Sequence, residues 1–387
     1  MNSKRKKITI FAIILSALLT IIGFFIFKPQ GDYEKVSGAS YSVPGSEYVT
    51  GEVVAKSNNE CMGFEQNFDV EADETKRCEV LEVLITSGAK KDSKVLVEFD
   101  LSNTRTSLNP GTKIQVLYLP DYNVTDDAFL YMDLDRSNLL IWTSIIFSIV
   151  TILIGRWRGA GAIVGLFATF FVLIYFLFPA ILEGKDPVMV AVVASSGLVL
   201  TLLYVAHGLS IKTSVAILGT LFGIFLTAII SYLFVTWGNF SGVSSDEDYF
   251  LAGVTNIRLD GLLLAGIIFA AVGVLNDVTV TQASAVWELK ESQPNYTATQ
   301  LFISGMRIGR DHIASTVYTL LFTYAGAALP TLILISISDR PGTFILSSEG
   351  IAQEIIRTLV GSICLVLAVP ITTALAAVLA EGKVNKD

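Results

Sequence analysis

Gly261–Glu291 reads GLLLAGIIFAAVGVLNDVTVTQASAVWELKE, and it passes from bilayer-hydrophobic to polar partway along. Placed on one helix at about 100° per residue, Gly266, Ala270, Gly273, Asp277, Thr281, Ser284, Glu288 and Glu291 recur at spacings of three and four and share one side. That side is small first, then polar, then acidic. Small residues let helices approach closely in a bilayer, and a carboxylate near the end of an apolar run is costly unless it meets protein, water or an ion. The stretch therefore predicts a central helix with its stripe turned inward. Asp277 has two readings. It is a charge at headgroup level with a solvated face beyond it, or a group linked to an ion, a proton or a substrate.

The rest of the chain carries the same membrane signature. Of 387 residues, 52% are hydrophobic and 16% charged, which separates the chain from ordinary soluble proteins. Its net charge of −8 and the lack of a basic stripe beyond the extreme N-terminus argue against nucleic acid as a partner. The partner the composition does imply is the lipid bilayer. Two of the three cysteines, Cys61 and Cys78, lie in the long polar region and can form one disulfide if that region is exported. No CxxC spacing or nearby histidine accompanies them, so neither a metal nor a cofactor is expected.

In chain order, Lys4, Arg5, Lys6 and Lys7 precede an apolar run, Ile8–Phe27, long enough to cross the hydrocarbon core. No A-x-A cleavage site follows, so residues 1–30 read as a cytosolic tail and uncleaved anchor. Residues 31–138 turn polar and carry short Val-rich segments at Tyr48–Ala55, Val80–Ile85, Val95–Phe99 and Ile114–Leu119, separated by turn formers such as Asn109-Pro110-Gly111. A small closed β-barrel, OB-like, leaves the fewest open strand edges. Asp126, Asp127, Asp133 and Asp135 read as a solvated acidic approach back to the membrane.

From 139 to 380 the chain is nearly all spans: Leu139–Ile154, Ala160–Phe178, Val188–Ala206, Thr213–Val235, the stretch from Gly261, Ile313–Ile335 and Ile355–Ala380. With the anchor that makes about eight helices. The fold class is thus an all-α polytopic membrane bundle with a β-barrel-like module inserted after the first helix, and 381–387 forms a cytosolic tail. Lys4–Lys7, Arg156, Arg158, Lys212, Lys290, Arg307, Arg310, Lys383 and Lys386 fall on one side, against Lys185, Arg258, Arg340 and Arg357 in short loops on the other. The positive-inside rule then puts both termini in the cytosol and the β-module outside.

Gly161-x-x-x-Gly165 and Gly219-x-x-x-Gly223 mark close helix crossings inside the bundle or a homodimer face, with the internal role favoured. Pro330 and Pro370 interrupt the last two apolar runs. The segment Ser304–His312, SGMRIGRDH, allows an Arg307–Asp311 pair, and it allows Arg310 or His312 to face Asp277 or Glu288 as a gate or proton-linked switch. Enzyme readings fare badly. No GxSxG, HExxH, Walker A or GxGxxG arrangement sits in a suitable setting, and the chain has two histidines. Asp260 is roughly 25 Å along the same helix from Asp277 and cannot act with it as a protease pair.

AAVGVLNDVTVTQASAVWELKE (Ala270–Glu291), SGMRIGRDHIASTVYTLLFTYAGAALP (Ser304–Pro330) and YVAHGLSIKTSVAILGTLFG (Tyr204–Gly223) resemble the YibE/F family of bacterial multispan membrane proteins. The resemblance covers the part from about Leu139 onward and implies an integral membrane protein of a bacterial plasma membrane. It carries no established activity onto particular positions. It draws attention to Asp277, Glu288, Arg310 and Asp311 without giving any of them a role.

The expectation is therefore a permease or exporter of a small solute or ion, with Asp277, Thr281, Ser284, Glu288, Arg310, Asp311 and His312 as candidate transport or gating residues. The competing class is a non-transporting scaffold or sensor whose outer module binds a protein partner. A homo-oligomer is compatible with either.

Overall fold

A computed structural model of the chain describes residues 3–31, 45–57, 78–100, 108–123, 126–337 and 341–381. They divide into two compact units, Lys35–Val150 and a second made of Met1–Glu34 together with Thr151–Asp387. The Cys61–Cys78 pairing lies outside the described residues: Cys61 is not among them, and of Cys78 only the backbone is described.

In the smaller unit, β1 (Glu47–Ser57), β2 (Cys78–Ile85), β3 (Lys94–Asp100), β4 (Lys113–Asn123) and β5 (Asp126–Leu134) close into a barrel in the order β1-β2-β3-β5-β4. All pairings are antiparallel except β3 with β5. Period-two alternation sends Val49 and Val53, Leu81, Val83 and Ile85, Val97 and Phe99, and Ile114, Val116 and Tyr118 into one core. Irregular register between Val53 and Ala55 and between Gln115 and Val116 supplies the local bend that closure needs. At Asn109-Pro110-Gly111 the Thr112 amide donates to the Asn109 carbonyl at 3.0 Å, and Gly111 takes φ +88°, the position of a type II turn that favours glycine.

The acidic approach expected at Asp126–Asp135 is corrected here. Asp126–Leu134 is the fifth strand, pairing with both β4 and β3 and burying Ala128 and Phe129. The acids flank an AFLYM centre that suits a half-buried pleat. Ion pairs Lys90–Asp127 and Arg136–Asp133, both at 2.8 Å, hold two of the carboxylates at the surface.

The helical unit contains α1 (Ser3–Ile26), part of α2 (Ser137–Val172), a π-helical turn at Leu173–Leu177, α3 (Phe178–Leu182), α4 (Pro187–His207), α5 (Ile211–Trp237), α6 (Asp246–Val254), α7 (Leu259–Ser292), α8 (Ala298–Ala327), α9 (Leu329–Ser336), α10 (Gly342–Leu346) and α11 (Glu349–Ala380). The starts are written locally. Asp186 caps α4 ahead of Pro187, Ser210 caps α5, and reciprocal capping boxes begin α6 at Ser245/Asp248 and α8 at Thr297/Gln300. Packing centres on α5, α7 and α11. α4 lies against α5 and α7, α8 against α7 and α11, and α1 against α4 and α5.

Among the described residues, six helical stretches are long and apolar enough to cross a membrane. The difference from about eight has two sources. First, Leu139–Ile154 and Ala160–Phe178 belong to one stretch, Ser137–Leu182, which bends at Arg156 (φ 50°, ψ −132°). The bend is sharp: a Cβ on Gly159 would overlap the Thr151 carbonyl, whereas residues eight apart on a straight helix are separated by about 12 Å. Second, the apolar run Ile313–Ile335 is shared between α8 and α9, because Pro330 opens a new helix after α8 stops at Ala327. Pro370 behaves differently and lies inside α11, which runs unbroken.

Both GxxxG pairs are internal. Cβ atoms on Gly161 and Gly165 would meet Ala206 and Leu202 of α4 at 3.1 and 3.4 Å. One on Gly219 would overlap Thr372 Oγ1 of α11, and one on Gly223 would lie 2.8 Å from Leu275 of α7. Small residues here let α5 touch its neighbours backbone to side chain.

Candidate functional site

The stripe on α7 does not turn inward. Gly266, Ala270, Gly273, Asp277, Thr281, Glu288 and Glu291 are exposed, and Ser284 is half-buried. The opposite flank, with Ile267, Ile268, Leu275, Val278, Thr279, Gln282 and Val286, is the buried one. The cause is side-chain area. In the apolar first half of the helix, packing is decided by which face removes most surface, and large aliphatic side chains outweigh a row of glycines and alanines; in the second half the carboxylates stay at the exposed side, where they avoid desolvation.

Of the candidates, Asp277 and His312 are brought together: His312 Nε2 lies 3.9 Å from Asp277 Oδ2, with the Asp277 side chain 67% exposed. Arg307, Arg310 and Asp311 point away as exposed residues of α8 and make no ion pair within 4.0 Å among the described residues, so neither the Arg307–Asp311 pair nor an Arg310–Asp277 contact forms. Glu288 and Glu291 line a cavity of about 330 Å³ with Trp287, Lys212 and Ser210. Ser284 borders a much smaller one with His207, Lys212 and Thr213. Thr281 is exposed beside neither.

A regular row of buried polar groups lies elsewhere, on α5. Thr213, Thr220, Thr227 and Ser231 are at most 3% exposed. At about 100° per residue their spacings of seven, seven and four keep them within roughly 40° of one line, and 18 residues rise about 27 Å, close to the thickness of a hydrocarbon core. Thr220, Thr227 and Ser231 each donate to the carbonyl four residues back, at 2.9, 2.8 and 2.6 Å. Thr220 Oγ1 also meets Thr279 Oγ1 of α7 at 2.6 Å. Thr372 Oγ1, against Gly219, is buried without a partner. Gln282 Nε2 donates to the Gly305 carbonyl at 2.8 Å, tying α8 to the same layer.

The two ends of this line differ in the space beside them. Val235, one turn past Ser231, borders a space of about 670 Å³ together with Tyr232, Thr236, Asn239, Asp186, Arg258 and Asp260. Thr213 at the other end borders a void of about 10 Å³, room for a single water, with Lys212 and His207. Between them Thr220, Thr227 and Ser231 have no solvent-accessible surface. The geometry is that of one open mouth and a closed seam of hydroxyls that ends at a water-sized void. No group of three or more His, Cys, Asp or Glu side chains able to hold a metal occurs among the described residues.

A family model of the YibE/F-like protein matches residues 143–382, well over half of the chain. This chain belongs to the YibE/F-like family. The match takes in both the α5 seam and the α7 stripe and stops short of the barrel. No curated protein and no solved structure matches the chain.

The YibE/F-like bundle holds two further polar devices that inspection of motifs passed over. Glu183, after α3, accepts from the amides of Gln30 and Gly31 at 2.6 Å each and pairs with Lys185 at 2.9 Å, while Lys185 Nζ donates to the carbonyls of Phe27 and Lys28. Burial pushes the Glu183 carboxyl up, but the Lys185 ammonium and the two amides outweigh it and hold the group below the usual carboxylate range. The knot fastens the end of α1 to the α3–α4 turn. Lys290, counted above only as a positive charge, is 5% exposed and donates to the carbonyls of Pro294 and Tyr296, bracing the α7–α8 turn. The seam itself had a legible signal: threonines at heptad spacing on a helix with two GxxxG glycines.

Proposed function

We propose that this YibE/F-like protein is a permease or exporter of a small solute or ion, and that its path follows α5 rather than the α7 stripe. One observation carries the reading: Thr213, Thr220, Thr227 and Ser231 form a buried hydroxyl line across a bilayer's depth, with an open cavity beyond Ser231 and a void of about 10 Å³ at Thr213. Intramembrane polar rows that face the bundle interior are expensive and mark pathways. The closed middle is then the occluded state of an alternating device.

In this reading the sharp bend at Arg156 separates two crossings, and α8 with α9 makes a broken crossing, which gives about eight. The basic residues put both termini in the cytosol of a bacterial plasma membrane, with the OB-like barrel and the cavity at Arg258 and Asp260 outside. The protein does not act as an enzyme. A scaffold or sensor is the second reading, favoured by the exposed flank Gly266–Asp277, which suits a neighbouring transmembrane helix.

Purified full-length protein in liposomes, assayed for solute and ion flux with and without Thr220→Ile, decides between them. Flux that the bulkier residue abolishes supports transport. An intact, folded protein that moves nothing, for any gradient imposed, overturns it in favour of the scaffold.

A further inference from the structure

From the orientation of its hydroxyls we infer that the α5 seam takes a desolvated monovalent alkali cation, sodium- or potassium-sized; this rests on the transport reading above. A hydroxyl has one proton and two lone pairs. Thr220, Thr227 and Ser231 each spend the proton on a carbonyl of their own helix, at Ala216, Gly223 and Thr227. What they leave to the seam is oxygen lone pairs, which attract cations and repel anions. Thr220 shares one of these with Thr279 at 2.6 Å, so a second helix contributes its hydroxyl at that level. The orphaned Thr372 Oγ1 on α11, against Gly219 one residue away, adds a third oxygen without a partner.

Charge limits the occupant further. Among the described residues the buried polar groups of α5, α7 and α11 are Thr, Ser and Gln, apart from Lys290 at the end of α7, which donates to the Pro294 and Tyr296 carbonyls, and no carboxylate is among them. Dications are held by oxygen sets that include carboxylates to balance their charge, so the seam suits a single positive charge. The larger mouth agrees. It carries Asp186 and Asp260 against Arg258, which is already paired to Asp260 at 2.6 Å, and this excess of one carboxylate concentrates cations there. The narrow end at Thr213 carries His207 and Lys212 and no carboxylate, so the charge argument holds at one end.

The test uses the full chain in liposomes and compares uptake of radiolabelled sodium, rubidium, calcium, chloride and glycerol. Sodium or rubidium is expected to enter faster than the other three. Thr227→Val, which keeps the shape and removes the oxygen, is expected to lower that uptake about tenfold, and Thr227→Ser to retain it, both variants eluting and unfolding like the parent. Preference for chloride, glycerol or calcium overturns the cation assignment and leaves transport standing. Sodium or rubidium uptake that Thr227→Val leaves unchanged, in a protein that folds normally, removes the seam as the site. No uptake of any probe by folded protein removes both.

Discussion

Helices α5 and α7 lie side by side at the centre of the bundle, and each carries a regular row of small and polar residues. On α5 the row is Thr213, Thr220, Thr227 and Ser231, and it is sealed inside. On α7 the row is Gly266, Ala270, Gly273, Asp277 and Thr281, and it faces out. The difference lies in what stands across from each row. Opposite the α7 row are Ile268, Leu275, Val278 and Val286, which gain more by packing. The α5 row is itself flanked by Gly219 and Gly223, whose missing side chains let α7 and α11 close over the hydroxyls. A pattern of small and polar residues thus marks a flank as unusual without telling which way it turns.

Glycine replacements give the largest contrast. Gly219→Ala and Gly223→Ala each force a methyl against Thr372 or Leu275, and a cost of about 1–3 kcal/mol is expected for each. Gly266→Ala and Gly273→Ala meet nothing within 4 Å, so the gain in helix propensity, about 0.5–1 kcal/mol, acts alone and stabilises. Thermal unfolding in detergent reads both signs. Equal effects on the two helices would erase the comparison.

The next effect separates two carboxylates. The Glu183 side chain is 7% exposed and held by two amides and Lys185, whereas that of Asp277 is 67% exposed. Glu183→Gln is expected to destabilise at neutral pH by about 1.5–3 kcal/mol, the range for hydrogen bonds to a charged group. Because the folded carboxyl titrates below its unfolded value, its contribution is full above the ordinary carboxylate range and vanishes as pH falls through the lowered folded value. The gap between parent and variant therefore narrows on acidification. A gap independent of pH would rule out the charge as its source.

Smaller still is the tie from α7 to α8. Gln282→Leu loses the bond to the Gly305 carbonyl and is expected to cost about 1 kcal/mol, with Thr281→Val near zero as its exposed counterpart. At the low end, a double-mutant cycle of Asp277→Asn with His312→Gln should show coupling of about 0.5 kcal/mol or less, as for other exposed pairs. Asp277→Asn with Arg310→Gln should be additive, since Arg310 makes no ion pair within 4.0 Å among the described residues. Strong coupling there would restore the α7 stripe as a working surface.

Sequence by itself determined the family, the membrane character, a long apolar first helix and the placing of a closed β-barrel between that helix and the bundle. These rest on apolar run length, period-two alternation and turn chemistry at Asn109-Pro110-Gly111, all of which are local. It also marked Gly161, Gly165, Gly219 and Gly223 as crossings, because a missing Cβ has one common use between membrane helices. The fifth strand escaped because its terminal acids hid an apolar centre. Tertiary structure alone decided which side of α7 is inside, that Asp277 meets His312 and not Arg310, and that the hydroxyls of α5 share a sealed line. The reason is that the first half of α7, apolar all round, has no face chosen in advance. Its orientation is settled by the summed contact area of every neighbour at once, and no window of the chain contains that sum.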